Sequence, residues 1–169
     1  MIYETERFIV RWYREGDGAD AFEMYGDPEV WRYLGNGTHT PDPDADYTER
    51  ALLATTKRLQ ERDDGLGLWA IEERATSRIV GTVGLAPTKT GEVELAYHLS
   101  RAHWGRGIAT ETGAGAIAHG FEQLALTQIL GFVHPPNTPS IHVLEKLGFT
   151  RTGEQDYDGA ILYRYELTP

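Results

Sequence analysis

The sequence predicts a mixed, mainly antiparallel α/β sheet with helices on both faces. Three observations predict it. Strand-like and helix-like patterns follow one another in the order β-α-α-α-β-β-β-α-β-α-β-β, an alternation that builds a layered α/β domain. Three of the strands are consecutive and joined by short turns, which makes them antiparallel neighbours. The run Val93–Leu99 leads directly through His103-Trp104-Gly105-Arg106-Gly107-Ile108-Ala109-Thr110 into a long Ala/Gly-rich helical pattern. Strand, glycine loop and helix start thus form one segment.

Each element has its own signal. Glu6 to Tyr13 alternates apolar and polar residues and reads as the first strand. Asp17 can cap a helix through Tyr25, and Pro28 can open a short one through Leu34. Gly35 to Asp46, with Gly35-Asn36-Gly37 and Pro41-Asp42-Pro43, reads as a loop. Asp44 or Asp46 then starts an amphipathic helix to about Arg62, with Leu52, Leu53 and Leu59 among its buried positions. Leu66–Glu73, Ile79–Pro87 and Glu92–Leu99 are the three consecutive strands. Gly107–Leu124 is a helix despite Gly113, Gly115 and Gly120. Mid-helix glycines cost roughly 1 kcal/mol each, so these are expected to let the helix lie close on the sheet. Gln128–His134 is a strand and Ser140–Leu147 a short helix closed by Gly148. Phe149–Tyr157 and Ala160–Leu167 form a hairpin turning at Asp158-Gly159.

With 169 residues, the chain can bury one substantial core, and residues 1–169 are expected to form a single domain. Apolar residues make up 40%, in the globular range. No apolar run approaches the ~20 residues of a membrane span. The start, Met1-Ile2-Tyr3-Glu4-Thr5-Glu6, has no basic leader or apolar core of a signal peptide. The absence of cysteine removes disulfides, thiolate metal sites and a cysteine nucleophile. A cytoplasmic protein is expected. The net charge of −10 argues against nucleic acid as a partner. It would attract a cation, such as an amine before reaction, although acidity also serves solubility. The six histidines include no His-Glu-x-x-His or His-x-His spacing, and no metal is expected.

The glycine loop carries the chemistry. Gly105 and Gly107 let the backbone turn sharply and approach a ligand. The first helical turn leaves N–H groups unpaired at the positive end of the dipole, a good seat for a diphosphate. No Gly-Lys-Ser/Thr triplet makes it a P-loop, and Thr110 breaks the dinucleotide fingerprint. Gly107-Ile108-Ala109, after Gly105-Arg106 and with Trp104 at the usual Gln/Arg position, resembles instead the pyrophosphate loop of the GNAT N-acetyltransferases, RimJ/RimL-type branch. Asn137-Thr138-Pro139-Ser140, then Glu145-Lys146-Leu147-Gly148-Phe149, is similar to a second segment of that superfamily, and Glu4–Arg11 to its first strand.

The resemblance implies a GNAT-like fold with splayed central strands, here Glu92–Leu99 and Gln128–His134. It also implies transfer of an acetyl group from acetyl-CoA to a primary amine, either a protein N-terminus or a small amine, by direct attack in a ternary complex. On that reading, backbone groups of His98 and Leu99 pair with pantetheine. The N–H groups of Trp104, Gly105, Arg106, Gly107, Ile108, Ala109 and Thr110 hold the pyrophosphate, with the Arg106 side chain as a further contact. Asn137 either contacts pantetheine or caps a turn. Ser140 protonates or orients the leaving sulfur, or caps the helix it precedes. Leu144 stands where many relatives have a tyrosine acid, so Ser140, Tyr97 or water must serve. Glu94 is the expected base, with Glu92, His98 or water as alternatives; alternation puts Glu92, Glu94 and His98 on one strand face. Trp31 and Tyr33 are candidates to line an acceptor pocket. The resemblance allows a homodimer, though no self-complementary surface is evident. An acyl-CoA-binding regulatory or interaction module without catalysis is the alternative function.

Overall fold

A computed structural model describes residues 1–169. Eight strands form one sheet: β1 (Tyr3–Glu4), β2 (Phe8–Arg11), β3 (Gly67–Glu73), β4 (Ile79–Pro87), β5 (Val93–Leu99), β6 (Ile129–Val133), β7 (Thr150–Tyr157) and β8 (Ala160–Leu167). Their spatial order is β1-β2-β3-β4-β5-β6-β8-β7. Every neighbouring pair is antiparallel except β5 and β6. The helices are α1 (Gly18–Tyr25), α2 (Pro28–Trp31), α3 (Ala45–Gln60), α4 (Ile108–Glu122) and α5 (Thr138–Lys146). This is the mixed, mainly antiparallel sheet that the sequence predicts. No helix is long and apolar enough to cross a membrane.

Strand alternation sorts the core into two layers. Trp69 and Ile71 of β3 point into the larger cluster, with Leu85, Leu95, Ile108 and Ala116. Ala70, between them, joins the smaller cluster with Tyr13, Met24, Tyr25 and Val30. The larger cluster lies under α4 and α5, the smaller under α1 and α2. Burying side chains of this size contributes roughly 1.5–3 kcal/mol each. The α4 glycines are packing positions: a Cβ at Gly115 would sit 2.3 Å from the Tyr3 ring, and one at Gly113 would sit 2.9 Å from Leu147. Gly113, Gly115 and Gly120 thus let α4 sit close to its neighbours.

Some boundaries differ from the sequence reading. The edge strand β1 is too short to show periodicity; it adds to β2, and the Tyr3 hydroxyl donates to the Thr112 carbonyl at 2.6 Å. Asp17 occupies the N-cap of α1 without a capping bond. Its carboxylate is taken by the buried Arg11 guanidinium at 2.8 and 2.9 Å, which also donates to Glu72 at 2.6 Å. Glu49 of α3 accepts the Gly18 N–H instead, at 2.9 Å. Helix α2 stops at Trp31, and Asp44 is the cap that starts α3. Leu59 is buried in α3, whereas Leu52 and Leu53 are half-buried. Asp158 and Gly159 both have positive φ, 53° and 89°, as the two-residue hairpin turn requires.

Candidate active site

Strands β5 and β6 pair at one position only, Glu94 with Leu130. Beyond it they diverge, while β5 stays fully paired to β4 and β6 to β8. A cavity of about 630 Å³ opens along this divergence, bordered by the glycine loop, α5 and the segment after α2. Which β5 groups face the gap follows from the ladder. The Ser100 N–H donates to the Val80 carbonyl and the Thr88 N–H to the Glu92 carbonyl. In an antiparallel pair the hydrogen-bonded positions alternate, so Glu94, Ala96 and His98 spend their backbone groups on β4. Tyr97 and Leu99 face the gap. The His98 backbone, expected to meet a ligand there, is therefore spent on β4, and the Tyr97 backbone is the one that faces the gap. Leu99 keeps its N–H free, but its carbonyl accepts from the Trp104 indole at 2.9 Å.

At the mouth of the gap, Gly105 and Gly107 have φ of 73° and 74°, left-handed values that favour glycine. The N–H groups of Gly105, Arg106, Gly107, Ile108, Ala109 and Thr110 make no internal hydrogen bond. All but Arg106 belong to residues that border the cavity. Trp104 is the exception among the loop amides, because its N–H donates to Arg101. The Arg106 side chain, expected as a further contact, does not border the cavity and lies 3.8 Å from Glu73. Arg7 braces the loop from the other side, donating to the Arg106 carbonyl at 3.2 Å and to Glu111 at 2.7 Å. It offers no sequence signal, since its partners lie far along the chain.

The candidate acid–base residues separate by face. Glu94 borders the cavity, and burial pushes its carboxyl up to about 7 against a weak opposing bond from the Tyr157 hydroxyl at 3.2 Å. Glu92 is not at the cavity; it binds Arg164 at 3.0 Å and Thr90 at 2.8 Å. The His98 imidazole does border it, but burial lowers its pKa to about 4 and Nδ1 has no partner. A ring that holds a proton so weakly is a poor base near neutrality. On the opposite face, Tyr97 Oη lies 2.7 Å from Ser140 Oγ, and burial pushes the phenol up to about 12. The N-cap of α5 is Asn137, whose side chain accepts the Ser140 N–H at 3.4 Å. The helix begins earlier than the sequence reading placed it, which frees the Ser140 hydroxyl for Tyr97. No three His, Cys, Asp or Glu side chains come together as a metal would need.

Residues 7–150 match the sequence family described as the acetyltransferase (GNAT) domain. The chain belongs to the GNAT acetyltransferase family. It is 32% identical over 159 residues to the uncharacterized N-acetyltransferase p20 of Bacillus licheniformis, covering 92% of this chain and 86% of that one. With the uncharacterized N-acetyltransferase YoaA of Bacillus subtilis it shares 29% over 154 residues, covering 90% and 84%. Among solved structures, a GNAT-family acetyltransferase from Bacillus anthracis superposes with a TM-score of 0.79 at 20% identity, over 98% of this chain and 96% of that one. Mycobacterium smegmatis RimJ in complex with CoA-disulfide superposes at 0.76 and 22% identity, over 96% and 85%. The two structural matches show the fold.

The other end of the acetyltransferase cavity is built from groups the sequence only partly signalled. Tyr33 borders it, as read from the sequence. Trp31 does not: its indole donates to the Tyr25 carbonyl and packs on the smaller core. Phe132 and Tyr157 border it as well, and neither was singled out by pattern. Tyr157 reaches Glu94 because it directly precedes the hairpin turn, so the Asp158-Gly159 signal was its only trace in the sequence. Leu144 is buried against Gly131 and borders the cavity. Its apolar side chain can donate no proton there.

Proposed function

We propose that residues 1–169 form one acetyl-CoA-dependent N-acetyltransferase domain of RimJ/RimL type, acting on a primary amine by direct attack within a ternary complex. The observation that carries this reading is the run of unpaired amides from Gly105 to Thr110 at the mouth of a gap that also holds Glu94. These amides would hold the diphosphate of acetyl-CoA at the helix N-terminus. Pantetheine would lie between β5 and β6 as an added strand, meeting the free backbone groups of Tyr97 and the Leu99 N–H. Asn137 would contribute its remaining amide hydrogens.

The chemistry follows from strand alternation. Glu94 and Tyr97 lie on opposite faces of β5, so a thioester in the gap has a base on one side and a hydroxyl pair on the other. Glu94 takes a proton from the ammonium and leaves the amine lone pair free. The amine nitrogen attacks the thioester carbon, the N–C bond forms and the C–S bond breaks. Tyr97, relayed or oriented by Ser140, gives its proton to the leaving thiolate, and the second proton that the nitrogen sheds as the amide forms restores the phenol. A carboxyl titrating at about 7 is matched to this task near neutral pH.

The test is release of CoA thiol with a panel of peptides and amines, run beside calorimetry of acetyl-CoA. Saturable acetyl-CoA binding and amine-dependent thiol release are expected. Acetyl-CoA that fails to bind, or that binds without turnover of any amine, overturns the proposal.

A further inference from the structure

The acceptor side of the cavity differs in character from the cofactor side. The Phe132 and Tyr157 rings lie 5.5 Å apart at a tilt of 50°, next to Glu94. Tyr33 closes the wall by packing on His134 at 5.8 Å. Two carboxylates reach this side, Glu29 and Glu94. Glu29 is matched at the rim by Arg32, 3.6 Å away, whose guanidinium also lies over the Tyr33 ring at 5.3 Å. The rim thus carries one solvated charge of each sign. Glu94 is left as the one carboxylate here without a cationic partner, bonded only by the Tyr157 hydroxyl.

We propose that the acceptor is a monoamine carried on an apolar or aromatic body, selected by Tyr33, Phe132 and Tyr157, and that polycationic amines are disfavoured. The inference rests on the acetyl-transfer reading above. One ammonium meets Glu94 and leaves its charge there before reaction. A second would shed water beside aromatic rings and a matched ion pair, with no anion to receive it. The attraction of a ring face for a cation is too weak to offset that loss. An aromatic body instead buries its surface against Phe132 and Tyr157 in the offset or edge geometry such rings prefer. The acidic exterior draws any amine towards the protein, and the chamber discriminates after that.

A free arylalkylamine and a peptide N-terminus with an aromatic first residue share this chemistry. Full-length protein with saturating acetyl-CoA is assayed for thiol release against 2-phenylethylamine, a peptide beginning with Phe, spermidine and kanamycin, with acetyl-CoA affinity measured in parallel. At least one aromatic amine is expected to show kcat/KM tenfold or more above both polycations, and the faster of the two identifies the source. Phe132→Glu adds a second anion and should narrow that ratio tenfold by raising turnover of spermidine. Tyr33→Ala lies in the loop region and should lower kcat/KM for the aromatic amine several-fold with unchanged affinity for acetyl-CoA. Spermidine or kanamycin served equally well or better overturns this inference and leaves acetyl transfer standing. If no amine turns over, acetyl transfer itself falls, and the inference with it.

Discussion

Replacing Glu94 with Gln tests the catalytic reading through stability and rate together. Burial raises the Glu94 carboxyl from 4.5 to about 7. Because the folded value lies above the unfolded one, the native state holds that proton more tightly between those two pH values. Stability is therefore greatest on the acid side, declines as pH rises through the window, and carries the full cost of the buried charge above about 7. At about 1.4 kcal/mol for each tenfold, that cost is about 3 kcal/mol. Gln keeps the oxygen that accepts from Tyr157 and carries no charge at any pH. Glu94→Gln should thus raise Tm by about 5–10 °C at pH 8 and leave it nearly unchanged at pH 4. The same variant should lose about 10²–10⁴ in kcat. In the native enzyme, kcat/KM should rise with pH through about 7 and stand about a hundredfold below its plateau at pH 5. Calorimetric melting at the two pH values and a pH–rate profile by thiol release measure all three. A Gln variant with native activity and an equal Tm change at both pH values would refute Glu94 as a buried, proton-accepting carboxylate.

Three other outcomes follow from the geometry. Tyr97→Phe should lower kcat about 10–100-fold with little change in acetyl-CoA affinity, while Ser140→Ala should cost less, because Tyr97 retains its own proton; steady-state kinetics with calorimetry separates the two. Arg7→Ala should raise KM for acetyl-CoA about tenfold by releasing the Arg106 carbonyl, whereas Arg106→Ala, whose side chain faces Glu73, should change it less than about threefold. Arg11→Met leaves the buried Asp17 without a cation and Glu72 with only the exposed Arg14, and should cost about 3–5 kcal/mol in denaturant unfolding, with acetyl-CoA affinity retained in the folded fraction.

What could be read in the sequence was what local physics decides. The glycine loop was legible because positive φ at Gly105 and Gly107 and a free helix start are properties of a few adjacent residues. The faces of β5 were legible because alternation needs only an unbroken register, and β4 and β5 pair without a shift. Direction within the ladder was harder. Whether the backbone of His98 or of Tyr97 meets the gap depends on which β5 residues bond to β4, and that is fixed at Ser100–Val80, outside the motif. Asp17 stands at the N-cap as read, but its side chain makes no capping bond for a related reason. An aspartate before a helix is a good cap until a buried guanidinium competes for it, and Glu72, the third member of that cluster, comes from β3. The Asn137 and Ser140 roles turned on where α5 starts, the least determined feature of any helix pattern.

The divergence of β5 from β6 joins these details into one mechanism. Had the two strands stayed paired, the Tyr97 and Leu99 groups would have been consumed by β6, and the sheet would have been continuous between its two faces. Because they part after Glu94 and Leu130, the gap connects the side bearing Glu94, Phe132 and Tyr157 with the side bearing Tyr97 and Ser140. A ligand lying in the gap can then be approached by a nucleophile from one face and relieved of its leaving group from the other. Glu94 sits at the last paired position: its own backbone groups bond to β4, the peptides flanking it meet β6 at the Leu130 bridge, and its side chain is buried at the apex of the opening. The rigidity that fixes the carboxylate and the burial that raises its pKa arise from the same ladder contact. Shifting β6 by one residue would turn Phe132 to the other face and abolish both the aromatic wall and the acid–base opposition.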